Sequence, residues 1–120
     1  MILLDTDVCL LLLSGNRKLL DAGLLLEDAV AISPTTLREL FFAAAISAEP
    51  EKNRALIDRF LVTVQLLSDT SESARIAAET EARAQKRGSM YSLADITQYA
   101  IAKAYGARLI TTNGKRYSFT

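Results

Sequence analysis

The chain contains no histidine. That removes serine and cysteine catalysis built on an imidazole base, and it removes histidine-ligated zinc. Its single cysteine, Cys9, permits no internal disulfide, which fits a reducing compartment. Cys9 lies in the run Val8-Cys9-Leu10-Leu11-Leu12-Leu13, so it reads as a small buried hydrophobe rather than a nucleophile. Without imidazoles or paired thiolates, any bound metal must be held by oxygen, which points to Mg²⁺, Mn²⁺ or Ca²⁺. No apolar stretch approaches the ~20 residues that span a bilayer. The apolar N-terminus has no basic segment before it and carries Asp5 and Asp7, unlike a secretory signal. A cytoplasmic protein is expected. Internal repeats, low-complexity segments and linkers are also lacking, so residues 1–120 are expected to form one domain.

What is present is ordinary globular composition, 50% apolar and 23% charged, enough to bury a core without cross-links. The net charge of zero conceals a gradient: residues 1–60 carry nine acids against six bases, and residues 61–120 carry five acids against eight bases. From Ala82 onward the bases are Arg83, Lys86, Arg87, Lys103, Arg108, Lys115 and Arg116, and Asp95 is the sole acid. This is either a solvated basic face or a phosphate-binding surface.

Hydrophobic patterning alternates short apolar strands with amphipathic helices. Met1 to Leu4 reads as a buried strand, stopped by Asp5-Thr6-Asp7, and Val8 to Leu13 as a short helix. Lys18 to Glu27 forms a second helix and Ala29 to Ile32 a second strand. Ser33 and Pro34 suit the cap and first position of a helix with Leu37, Leu40, Phe41, Ala44 and Ala45 on one face. A helix over Glu51 to Phe60, a β-branched strand over Val62 to Leu67 and a long helix from Ser68–Ser71 to Arg87-Gly88 follow. The last helix opens at Ser92-Leu93-Ala94-Asp95 and ends at Gly106, ahead of strand four, Arg108 to Thr111. This order predicts an α/β fold, a mostly parallel sheet covered on both faces. Ligands of such sheets bind beyond the carboxyl ends of the strands.

Asp5 and Asp7 follow strand one, Thr35, Thr36 and Glu39 open the helix after strand two, and Thr111 and Asn113 follow strand four. Asp95 should reach them from the strand-three side, through the preceding helical pair. Each acid also has a bland reading. Asp5 can cap a helix, and Thr36-x-x-Glu39 and Ser92-x-x-Asp95 both match the capping box. However, Glu39 and Asp95 sit among Leu37, Leu40, Phe41, Leu93, Ala94 and Ile96 with only Arg38 as a neighbouring base. Buried carboxylates without partners are costly, and a divalent cation offsets that cost.

The motifs together resemble the PIN-domain family, especially the VapC-type toxins of prokaryotic toxin–antitoxin pairs. Met1-Ile2-Leu3-Leu4-Asp5-Thr6-Asp7, Ile32-Ser33-Pro34-Thr35-Thr36-Leu37-Arg38-Glu39, Ser92-Leu93-Ala94-Asp95-Ile96 and Arg108-Leu109-Ile110-Thr111-Thr112-Asn113 match in order and spacing, with Tyr117 or Phe119 where a phenylalanine is usual. The resemblance implies a three-layer α/β/α domain with a four- to five-stranded sheet and an Mg²⁺- or Mn²⁺-dependent endoribonuclease. Asp5, Glu39 and Asp95 are then the catalytic metal ligands, with Thr6, Asp7, Thr111 and Asn113 around them. Asn113 takes a fourth acidic position, which weakens any second metal, and Asp7 replaces a commoner asparagine. The family's final short strand is expected beyond Thr120. Arg87, Lys115 and Arg116 are expected to contact RNA, and an antitoxin is an expected partner. The nearly all-apolar stretches Val8 to Leu13 and Leu24 to Leu26 suggest a homodimer. Two alternatives remain: a non-catalytic PIN fold that binds RNA or protein, and a haloacid-dehalogenase-type phosphatase using Asp5-x-Asp7. The second needs a late acidic pair that Leu109 to Asn113 lacks.

Overall fold

The computed structural model describes residues 1–15 and 29–120. Its elements are β1 (Ile2–Leu4), α1 (Thr6–Leu13), β2 (Val30–Ile32), α2 (Pro34–Ala45), α3 (Pro50–Leu61), β3 (Gln65–Leu66), α4 (Ser71–Lys86), α5 (Leu93–Tyr105), β4 (Arg108–Ile110) and a 3₁₀ turn, Gly114–Tyr117. The four strands pair in the order β3-β2-β1-β4, all parallel. Alternate strand residues feed opposite cores. Ile2, Leu4, Val30 and Ile32 pack with Val8, Cys9 and Leu12 of α1, Leu40 of α2, and Ile57 and Phe60 of α3. Leu3 and Ala31 pack on the other face with Ile101 and Ala102 of α5. Strands buried on both faces explain the unbroken apolar runs of the sequence. The expected three-layer α/β/α architecture is the one observed.

A third cluster lies at one end, where Ala84 of α4 and Ile96 of α5 meet Tyr117 and Phe119. The Phe119 ring stands edge-on to Tyr99, with centroids 6.0 Å apart. Gly106 ends α5 in the left-handed region (φ 67°), a conformation glycine adopts without a Cβ penalty.

The expected strand over Val62 to Leu67 is shorter, confined to Gln65–Leu66. Helix α3 runs on to Leu61, and the Thr63 hydroxyl donates to the Phe60 carbonyl at 2.7 Å. Val62 is 86% exposed, so its β-branched shape decides nothing there. The long helix is capped by Thr70, in a reciprocal box with Ser73. The predicted helix over Lys18 to Glu27 lies outside the described residues. Among the described residues, no helix is long and apolar enough to cross a membrane.

Strand order reverses between β1 and β4, which makes their carboxyl ends the topological switch point. The α4–α5 pair carries the chain from β3 to β4. Helix α5 runs against the strands: Gln98 reaches the Leu4 carbonyl, Ile101 packs on Leu3, and Arg108 beyond the helix donates to the Met1 carbonyl. Its N-terminus, with Asp95, therefore lies at the carboxyl edge of the sheet.

Candidate functional site

Asp5 leaves β1 at the switch point, where its backbone N–H donates to the Ile110 carbonyl at 3.1 Å. Its Oδ1 caps α1, accepting from the Val8 N–H at 3.1 Å. The capping reading is thus correct for one oxygen. The other, Oδ2, is buried and has no hydrogen-bond partner among the described residues. A carboxylate oxygen in that state costs free energy unless something positive meets it.

Around Asp5 the polar side chains are tied together. Ser33 caps α2, accepting from the Thr36 N–H at 3.2 Å, and its hydroxyl donates to Gln98 Oε1 at 2.5 Å. Gln98 Nε2 donates to the Leu4 carbonyl at 3.1 Å, and the Thr6 hydroxyl donates to Thr36 Oγ1 at 3.4 Å. The ends of β1 and β2 and the second turn of α5 are locked to each other by this network. Gln98 was legible as a polar residue on the inward stripe of its helix, one turn after Asp95, but sequence reasoning passed over it.

Asp95 does not close a capping box with its side chain. Ser92 Oγ accepts from the Asp95 N–H at 3.1 Å, while the carboxylate accepts from Arg116, Nη2 to Oδ1 at 2.6 Å and Nε to Oδ2 at 3.4 Å. Arg116 Nη1 also donates to Asp7 Oδ2 at 3.0 Å. The hydrogen bond to Asp95 is the main cause that holds the guanidinium's pKa above its ordinary value. Tyr117 is buried next to it in the chain. Burial first, then the charges of Asp5 and Asp95, push its phenol well up, so it stays protonated. Burial, reinforced by Asp5, pushes the Cys9 thiol up to about 12, which leaves it an inert core residue.

Asp5, Glu39 and Asp95 line one cavity with Thr6, Thr36 and Gln98; its volume is about 10 Å³, close to that of a single water-sized body. Among the described residues, no three carboxylates stand close enough to enclose an ion as they are placed. The donor chemistry nevertheless fits a hard divalent cation, since every available ligand is oxygen and Asp5 Oδ2 is unpartnered. Asp95 was expected to lack a basic neighbour, and Arg116 corrects that; a pairing across the chain leaves no mark in local sequence.

The other expected residues lie apart. Thr111 Oγ1 accepts from the Asn113 N–H at 3.1 Å, and neither residue lines the cavity. Asp7 does not line the cavity and joins it through Arg116. Lys115 is exposed on the 3₁₀ turn. Arg87 donates through Nη2 to the Phe119 carbonyl, which fastens the last turn to the end of α4.

Gln98→Leu should lower unfolding free energy by roughly 2–4 kcal/mol, because it strips partners from Ser33 and the Leu4 carbonyl inside the protein. A denaturant midpoint equal to wild type would show that the network is dispensable.

The model of the PIN domain matches residues 2–119. The chain is 24% identical over 116 residues to the tRNA(fMet)-specific endonuclease VapC of Shigella flexneri, covering 96% of this chain and 88% of that protein. It is 28% identical over 88 residues to ribonuclease VapC2 of Haemophilus influenzae, covering 73% and 67%. The crystal structure of VapBC2 from Rickettsia felis bound to a promoter DNA fragment superposes with a TM-score of 0.88 at 23% identity, over 98% of this chain and 91% of that one. A family model spanning nearly the whole chain, on a fold with its acids at the switch point, is decisive: the chain belongs to the PIN domain family.

Proposed function

We propose that this protein is an Mg²⁺- or Mn²⁺-dependent endoribonuclease, the toxin of a toxin–antitoxin pair acting in the cytoplasm. The observation that carries this reading is the buried, unpartnered Asp5 Oδ2 in a cavity shared with Glu39 and Asp95. Asp5, Asp95 and Glu39 would hold the cation. When bound, such a cation supplies Lewis acidity and neutralises charge at the scissile phosphate. Thr6 and Thr36 hold the rim of the site in place, and Tyr117, kept protonated, offers a hydrogen-bond donor rather than a base. Incubating purified protein with single-stranded RNA and tRNA, with Mn²⁺ and with chelator, tests the reading. Cleavage that needs Mn²⁺ and disappears in Glu39→Gln is the expected result.

Exposed bases would draw RNA toward the site: Lys115, adjacent in sequence to Arg116, is the first candidate and Arg87 a second. Lys115→Ala should weaken RNA binding and reduce its salt slope by about one unit. An unchanged slope in a binding titration from low to moderate salt would make Lys115 a bystander.

Partner proteins have a place as well. An apolar groove of about 210 Å³ between α1, α2 and α3 is lined by Leu10, Leu13, Leu40, Leu56 and Ile57. Nearby on α2 and its C-terminal cap, Phe42 is 62% and Ile46 70% exposed. Apolar surface of this kind suits an antitoxin segment or a second copy of the chain. The competing reading, a PIN fold that binds without cutting, draws support from Arg116 sitting on Asp95 and from the exposed amide of Asn113. It predicts RNA binding with no cleavage at any Mn²⁺ concentration.

A further inference from the structure

Arg116 spans two acids from distant parts of the chain. Nη2 and Nε face the two oxygens of Asp95 at 2.6 and 3.4 Å, and Nη1 faces Asp7 Oδ2 at 3.0 Å. Exposure rises along this bridge, from 11% for the Asp95 side chain to 28% for Arg116 and 41% for Asp7. The inner end of the bridge enters the cavity that Asp5 and Glu39 line.

We propose that Arg116 is an internal competitor of the divalent cation: its guanidinium neutralises Asp95 when no ion is bound and must release it when one binds. The inference rests on the reading of Asp5, Glu39 and Asp95 as a cation site. Both Asp95 oxygens are engaged by Arg116, so an ion and the guanidinium cannot take the same lone pairs. Held together at that distance, the two positive groups also repel one another. The contact to Asp7 uses a separate nitrogen. It can therefore persist while Nη2 and Nε let go, keeping the guanidinium at the mouth of the site. Two freed N–H groups on a planar fork match the oxygens of a phosphodiester. One side chain thus serves first as a counter-ion and then as a phosphate ligand, which unites its observed position with its expected contact to RNA. The carboxylate of Asp7 supplies the charge that retains it.

Calorimetric titration of the metal-free protein with Mn²⁺ tests this. R116Q should bind Mn²⁺ about tenfold more tightly than wild type, because the competing charge-assisted bonds are gone. R116K keeps the charge without the fork and should also bind more tightly than wild type. Damage to the fold weakens binding, so a gain cannot arise from misfolding. D95N should remove Mn²⁺ binding from wild type and R116Q alike. If wild type binds Mn²⁺ through Asp95 but R116Q binds no more tightly, the competition is overturned and the site stands. A lysine variant identical to wild type would reduce Arg116 to a general positive charge and overturns it too. If neither wild type nor R116Q binds Mn²⁺, the cation site itself falls, and the competition with it.

Discussion

Asp5→Asn should abolish RNA cleavage, by about a thousandfold or more, and leave the metal-free protein at least as stable as wild type. Asparagine caps a helix as well as aspartate, so the bond to the Val8 N–H survives. What is lost is the negative charge on a buried oxygen without a partner among the described residues, and losing it costs the metal-free fold nothing. Saturating Mn²⁺ at about 100 times its Kd should stabilise wild type by about 2.7 kcal/mol, and that stabilisation should vanish in the variant. Asp95→Asn should match it in activity and differ in stability, because it breaks the pairing with Arg116. Thermal melts with and without Mn²⁺, run beside a cleavage assay, separate the two. An Asp5→Asn protein that still cuts RNA would sink the catalytic assignment.

Phe119→Ala should cost about 3–5 kcal/mol of stability. The ring is 1% exposed and meets Tyr99 and Tyr117, with Ala84 and Ile96 in the same cluster. It also anchors the turn that bears Arg116 and Tyr117, so the cavity loses one wall before the domain unfolds. Chemical denaturation gives the energy. A loss below about 1 kcal/mol would mean that the ring's cavity collapses around the change, or that its burial matters little.

The parts of this fold that could be read from sequence are those decided by local chemistry. Apolar runs ending in Asp5 and in Ser33-Pro34 marked β1 and β2 with the helices after them, because stop signals and caps act within four residues. The carboxyl-edge rule then gathered Asp5, Glu39 and Asp95, which the structure places around one cavity. The rest depends on contacts between distant segments. Val62 and Thr63 look like a strand, yet the end of α3 claims them. Asp95 looked unpartnered, yet Arg116, 21 positions further along through helix, strand and turn, lies against it. The orphan proved to be Asp5, whose role as a cap hid the state of its second oxygen. Thr111 and Asn113 followed their motif but remain at the exit of β4, outside the cavity.

The ties that close the site span most of the chain: Gln98 to Leu4 joins residues 94 apart, and Arg116 to Asp7 joins residues 109 apart. Contacts of such separation form late, after the intervening loops have been closed. On a ribosome, the peptide emerging from the tunnel can assemble β1, β2 and their helices while Asp95, Arg116 and Phe119 are still unmade or hidden. A nascent chain that has not yet released Arg116 and Phe119 holds its acids without this wall in place. Whatever cutting power the finished molecule has is thus withheld from the machine that makes it until the last of these residues is free.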